Sequence, residues 1–407
     1  MRILVASHTY IVDLNCEKLK VLANMEPGIE VTVVVPRRWR PGGVQNKIIE
    51  TRERQEGSFR VVPVSNFSEN NQGLLTFGAD LISLLRQFRP QIIQVEQGSK
   101  ALGYAQLITL NRLLGLKAKN IFFTWWNLPY ELKFPVSLLE TYNFRNTDGI
   151  VAGNQDGAEI LRSRGYDGAI AVMPQLGVDE SLFKPSPQPE LAAKLGIQPT
   201  DFVVGFVGRF VEEKGLLTLL SALALCCDRS WKLLLLGRGS LQSVLMERAA
   251  QLNIKDRLIW VESVPHDEVP HYINLMSTLV LPSETTNKFK TLTAAGWKEQ
   301  FGHVLIEAMA CQVSVIGSDS GEIPHVIGDA GLVFPEGNVE ALKNCLVSLM
   351  NQPELKIKLG NLGYERAIAH YTNKALAQQL LNFYQELISS PKSGVRSPES
   401  EVGSQDS

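Results

Sequence analysis

With 407 residues, 44% of them apolar and 20% charged, the chain has the composition of a globular protein with room for two or three domains. A formal net charge of −2 excludes the basic bias of a nucleic-acid binder, so no nucleic-acid partner is expected. Five scattered cysteines form neither a CxxC pair nor a metal-ligand spacing, which suits a reducing compartment better than a disulfide framework.

Taken in chain order, "RILVAS" (2–7) opens with a strand and no signal-peptide architecture, so a cytoplasmic protein is expected, with peripheral contact at the inner face of a membrane left open. Further strands are predicted at 30–36, 60–65, 92–97, 120–126, 149–153 and 169–174. Helical patterns lie around 13–25, 79–89, 101–114 and 136–147. Strands apolar on both faces and separated by helices imply a parallel sheet covered on both sides. The turn-rich stretch "PQLGVDESLFKPSPQPE" (174–190) interrupts this pattern. A second set then begins at "DFVVGFVGRF" (201–210) and continues at 231–237, 257–263, 278–283, 313–318 and 331–334. The apolar run 216–227 is too short for a bilayer and reads as a core helix.

The expected fold is α/β, with two tandem doubly wound, Rossmann-like parallel-sheet domains facing a cleft. The expected boundaries are a first domain over 1–175, a linker over 176–195, a second domain over 196–370, a helix over 371–388 returning towards the first domain, and a disordered Ser-rich tail over 389–407. Oligomeric state is not readable.

Chemistry concentrates in "EQFGHVLIEAMACQ" (299–312). A helix starting near Gly302 would aim the backbone N–H groups of Phe301, Gly302, His303 and Val304 at an anion in the cleft. In a continuous helix Glu299 and Glu307 would stand roughly 12 Å apart, against about 5 Å for the carboxylates of a retaining glycosidase. That separation suits two clamps on a long ligand, each carboxylate accepting hydroxyl donors. "GRFVEEKG" (208–215) adds Gly208, Arg209 and Lys214 at a strand end, where two cations would neutralise a diphosphate without a metal. "LLGRGSL" (235–241) supplies Gly237 at another strand end, and Ser283 closes "LVLPS". There is no DxD pair, GxSxG or GxxxxGK[ST], so a P-loop kinase and a hydrolase elbow are set aside and no metal or other cofactor is expected.

Together, "GRFVEEKG", "EQFGHVLIEAMACQ" and "PQLGVDESLFKP" resemble the GT-B fold retaining glycosyltransferases of family 4, the glycosyl transferases group 1, of exopolysaccharide type. The resemblance is strong in the second half and loose in the first. It implies a nucleoside diphosphate sugar as donor, with Arg209 and Lys214 on its pyrophosphate. Glu307 would hold the ribose hydroxyls and Glu299 those of the donor sugar, while Phe301, Gly302, His303 and Val304 offer amides. Gly208, Gly237 and Ser283 would line the same cleft. It implies hexose transfer to a glycan or lipid-linked glycan acceptor, in polysaccharide or cell-surface glycan synthesis. A sucrose-type synthase acting on a small sugar and a catalytically silent nucleotide-sugar-binding scaffold are the alternatives.

The first half departs from the family pattern. "ASHTYIVDLN" (6–15) stands where many relatives carry a Gly-Gly loop, and His8 or Tyr10 would border the acceptor there. Trp126 or Asn127, in "FFTWWN", takes the place of a His found in many relatives, and the adjacent Trp125 and Trp126 read either as a stacking platform for a sugar ring or as core packing, the latter more for Trp125. Glu96 is the leading acceptor contact. The segment 284–298 reads either as a mobile lid or as a plain insertion. "PRRWRPGG" (36–43) reads either as an anionic-lipid contact or as a solvated basic loop.

Overall fold

The computed structural model describes residues 1–41, 47–290 and 294–390. The tail expected to be disordered lies outside the described residues from 391 onward, as do residues 42 and 43 of the basic stretch and 291–293 of the lid segment.

Two sheets form the frame. The first runs Ala169–Val172, Gly149–Ala152, Lys119–Thr124, Ile92–Val95, Arg2–Ala6, Glu30–Pro36, Phe59–Val64 and Arg54–Glu56 from edge to edge. All neighbours are parallel except the last pair. The second sheet is parallel throughout, in the order Leu258–Val261, Trp231–Leu236, Phe202–Val207, Thr278–Leu281, Ser314–Ser318 and Leu332–Phe334. Continuous apolar runs such as Val33–Val35 and Leu233–Leu236 suit strands buried on both faces, and they are buried here. The architecture is the expected GT-B type.

In each sheet the first strand in sequence is flanked on both sides by later ones. Strand order reverses at that strand, and the loops leaving the carboxyl ends there splay apart to leave a crevice. In the first sheet the crevice lies between Arg2–Ala6 and Ile92–Val95. In the second it lies between Phe202–Val207 and Thr278–Leu281. These two positions fix where the functional residues gather.

The last helix, Asn373–Ser389, belongs to the first core rather than the second. Leu376, Leu380, Leu381, Tyr384 and Leu387 pack within the first domain's cluster, and the helix lies against Glu17–Ala23. Tyr384 donates its hydroxyl proton to Gln94 Oε1 at 2.8 Å, beneath the first sheet. The chain crosses between domains beside this helix, where Val178 pairs with Tyr371 and Asn373.

Short elements escaped the sequence reading. The edge strand Arg54–Glu56 and the ribbon Arg38–Trp39 with Ile49–Glu50 are too brief for a period of two to register. The segment 284–298 contains an antiparallel ribbon, Thr286–Lys290 with Ala295–Trp297. Among the described residues no helix is long and apolar enough to cross a membrane.

Leu380→Ala, a change in the final helix, is expected to lower unfolding free energy by about 2–5 kcal/mol by opening a void in the first core. Denaturant titration measures this directly. A loss below about 0.5 kcal/mol, the range of ordinary surface substitutions, would show that the helix is not docked there.

Candidate active site

At the second crevice the backbone comes first. Gly208 and Gly237 end adjacent strands with φ of +151° and +146°. A Cβ on Gly237 would sit 1.9 Å from the Gly208 carbonyl oxygen, so only glycine lets these strand ends meet. Beyond Gly208, the 3-10 turn Glu212–Lys214 reverses the chain. Arg209 stays outside, its side chain 67% exposed, with Nη2 3.6 Å from Glu213 Oε1. Lys214 turns inward, with Nζ 2.5 Å from Glu299 Oε2 and 5.0 Å from the Trp297 ring centroid. Ser283 Oγ donates to the same carboxylate oxygen at 2.7 Å. Lys214, Ser283 and Glu299, far apart in sequence, are thus joined around one buried carboxylate.

The helix His303–Ala310 begins immediately beyond this group, capped by Gly302 in the left-handed region at φ +81°. Its first-turn amides, those of His303 and Val304, have no acceptor within the helix. Glu299 lies in the loop before Gly302, so the helical spacing estimated between the two glutamates does not apply: the helix begins at His303, past the left-handed Gly302. Phe301 contributes backbone only. Its ring is 6% exposed, packed 6.0 Å from Trp125 and 5.7 Å from Tyr371. Glu307 is buried one turn into the helix, and burial pushes its carboxyl up to about 7. His303 Nε2 lies 3.8 Å from Glu307 Oε1, and desolvation lowers the imidazole pKa, which favours the neutral ring.

The loop bearing Glu299 is gripped from the first domain. Asn127 Nδ2 donates to the Glu299 carbonyl at 3.0 Å, and Asn154 Nδ2 donates to the Gln300 carbonyl at 3.1 Å. Gln300 Nε2 donates to Trp125 O at 3.2 Å, and Lys298 pairs with Asp156 at 2.6 Å. Glu322 accepts the Gln155 amide at 2.9 Å, and burial pushes its carboxyl up to about 7. None of Asn154, Gln155, Gln300 and Glu322 was found from sequence. Asn154 carried one signal, an Asn placed to cap the helix Gln155–Ser163, but nothing marked its partner across the interface.

At the first crevice the sequence-selected residues divide. His8 and Glu96 line a cavity of about 990 Å³ there. The His8 ring lies 4.8 Å from that of Trp39, tilted by 38°, and burial lowers its pKa to about 4. Glu96 is held by Tyr10 Oη at 2.9 Å, Gln94 Nε2 at 2.9 Å and Gln175 Nε2 at 2.6 Å. Tyr10 is wholly buried beneath Glu96 and touches no open space, which corrects its reading as a border of the acceptor site. Asn127 is likewise corrected, because its amide is used on the Glu299 loop. Trp126 lines the cavity, but Lys100 Nζ lies 4.3 Å from its ring centroid, so the ring is not a bare stacking platform. In the basic stretch Trp39 is 3% exposed, Arg37 pairs with Asp80, and Arg38 pairs with Glu50 and Glu69. In the described part of this stretch Trp39 is an anchor, two of the three arginines are paired with acids, and Arg40 is exposed without an ion pair among the described residues.

Asn127→Ala leaves the buried Glu299 carbonyl without its cross-domain donor. The expected cost is about 1–3 kcal/mol of stability in chemical denaturation. No loss in denaturation would show that water or a neighbour replaces the bond.

Residues 187–366 match the family model described as glycosyl transferases group 1. The chain is 26% identical over 220 residues to N-acetyl-alpha-D-glucosaminyl L-malate synthase of Bacillus anthracis, covering 53% of this chain and 54% of that protein. It spans about half the length of the curated relatives it matches. Among solved structures, sucrose-phosphate synthase from Thermosynechococcus elongatus superposes with TM-score 0.66 at 19% identity, over 95% of this chain and 99% of that one. HepE of Anabaena, solved with UDP-glucose, superposes with TM-score 0.66 at 16% identity, over 95% and 100%. These likenesses carry the fold, and the sequence match carries the second domain. The chain thus has the GT-B fold, and its second domain matches the model of the glycosyl transferases group 1.

Proposed function

We propose that the chain is a retaining hexosyltransferase that moves a hexose from a nucleoside diphosphate sugar to a glycan or lipid-linked glycan acceptor without a metal. The observation that carries this reading is the Lys214–Glu299–Ser283 group at the second crevice, next to the open amides of a helix N-terminus. A diphosphate brought to those amides competes with Glu299 for the Lys214 ammonium. Glu299 is then free to accept hydroxyl protons from the donor sugar, and Glu307 those of the ribose. Arg209, exposed at the rim, is free to swing onto the same diphosphate. The UDP-glucose bound by HepE and the sugar-nucleotide relatives support a donor of this class.

In this mechanism the bond between the anomeric carbon and the diphosphate oxygen breaks. The acceptor oxygen bonds to that carbon on the same face, and its proton passes to the departing phosphate. Arg209 and Lys214 stabilise the charge that develops on the leaving group, and the protein supplies no nucleophile. Two cations in place of a metal predict turnover that survives excess chelator. Loss of turnover with EDTA, restored by a divalent ion, would overturn the metal-free part. Product anomer, read by NMR, decides retention.

Titrating UDP, GDP and ADP against thermal unfolding tests the donor site. A nucleotide at a hundred times its dissociation constant stabilises the fold by about 2.7 kcal/mol. Lys214→Ala is expected to lose that response relative to its own unliganded form. If no nucleotide stabilises the wild type, the donor reading fails.

Glu307 adds a pH signature. Its folded pKa is raised to about 7, so its contribution to stability is present below the ordinary carboxylate range and is lost as pH rises through about 7. Accepting two ribose hydroxyls needs the ionised form. Nucleotide affinity is therefore expected to rise from pH 6 to 8 with release of a proton, and Glu307→Gln is expected to flatten that slope in calorimetry. An unchanged slope in the variant would remove Glu307 from the ribose.

A further inference from the structure

The cavity at the first crevice is amphipathic. Leu102, Tyr130, Val136, Leu139 and Ile160 form an apolar wall. Apolar surface continues outward beside that wall, where Phe134 and Leu138 are 78% and 60% exposed. The remaining lining is polar and includes His8, Glu96, Gln97, Gln175 and Gln300.

Gln97 is only 8% exposed, and neither its amide nitrogen nor its amide oxygen has a hydrogen-bond partner among the described residues. His8 Nδ1 is buried without a partner as well. Lys100 Nζ, on the same lining, is buried without a hydrogen-bond partner too. Buried polar atoms are ordinarily hydrogen-bonded, so four unpartnered ones on one cavity point to a ligand that carries hydroxyls. Gln300 ties this polar part to the donor side, because it is the chain neighbour of Glu299 on the clamped loop. The described lining offers one ammonium, Lys100, and its Nζ already sits 3.6 Å from the Tyr130 ring centroid and 4.3 Å from that of Trp126. That ammonium has no hydrogen-bond acceptor, so it invites one oxygen of the ligand head, and a single cation does not balance a multiply charged sugar phosphate.

We propose that this cavity holds the acceptor and that the acceptor is an amphiphile. An aliphatic body lies along Val136, Leu139 and Ile160, and a hydroxylated head sits at Gln97, Glu96 and Gln300, turned towards Glu299. The proposal rests on the glycosyltransferase reading above and adds the acceptor class. A dispersed alkyl glycoside and a bilayer lipid share this chemistry.

The test titrates methyl, hexyl and octyl β-glucosides, below their micelle concentrations, into the full chain saturated with UDP. Binding is followed by calorimetry. Affinity is expected to rise about fourfold per added methylene until the wall is covered. In Ile160→Glu and Leu139→Glu, both at half-buried positions, the chain-length trend is expected to vanish while the thermal response to UDP persists. Equal affinities for methyl and octyl glucoside, or a trend that survives in both variants, would overturn the proposal. Absence of a UDP response in the wild type fails the donor reading instead, so the two failures are distinct. Dodecyl glucoside supplied in phosphatidylcholine vesicles, compared with the dispersed octyl compound, separates a membrane source from a soluble one. Binding from either source supports the amphiphile, and binding from neither counts against it.

Discussion

The arrangement depends on the short loop Lys298–Gln300. Its side chain at 299 reaches into the second domain, where Lys214 and Ser283 hold the carboxylate. Its backbone is held from the first domain, by Asn127 and Asn154. One loop therefore answers to both halves of the protein. A buried ammonium–carboxylate pair is costly to break on one side only, so the loop is stiff where the carboxylate sits. The position of the carboxylate is thus tied to both domains through one loop.

The two halves of the sequence were legible to different degrees. Parallel strands apolar on both faces leave long runs of Val, Ile and Leu, and these located nearly every strand of both sheets. Residues that act through a loop next to their own strand were also legible, because Lys214, Ser283 and Glu299 each lie just past a strand or just before a helix. The cross-domain grip was not legible. Asn127 and Asn154 bond to backbone carbonyls, and a carbonyl is the same at every residue, so the partner's sequence carries no mark of the contact. Tyr10 was misread for a related reason. A polar hydroxyl near a crevice looks the same in sequence whether it faces a ligand or props up the carboxylate that does.

The two crevices also differ in kind. The second brings cations and free amides to a carboxylate, and it is suited to exchanging one anion for another. The first surrounds a carboxylate, Glu96, with three neutral donors and keeps the nearby His8 neutral by burial. The one ammonium on its described lining, Lys100, lies against the Tyr130 and Trp126 rings. The contrast follows from which side chains the two switch points present, not from any difference in sheet architecture.

The return of Asn373–Ser389 to the first core makes the second domain an insertion within the first. Synthesis runs from the amino end, and domains generally fold as units as they emerge. The second sheet, with all its strands between Phe202 and Phe334, is complete in one stretch. The first core lacks Leu376, Leu380 and Tyr384 until the helix Asn373–Ser389 is made. The half that begins first is the half that finishes last. During synthesis its patch around Glu17–Ala23 and Gln94, which Asn373–Ser389 covers in the finished fold, stays uncovered while the entire other domain is built.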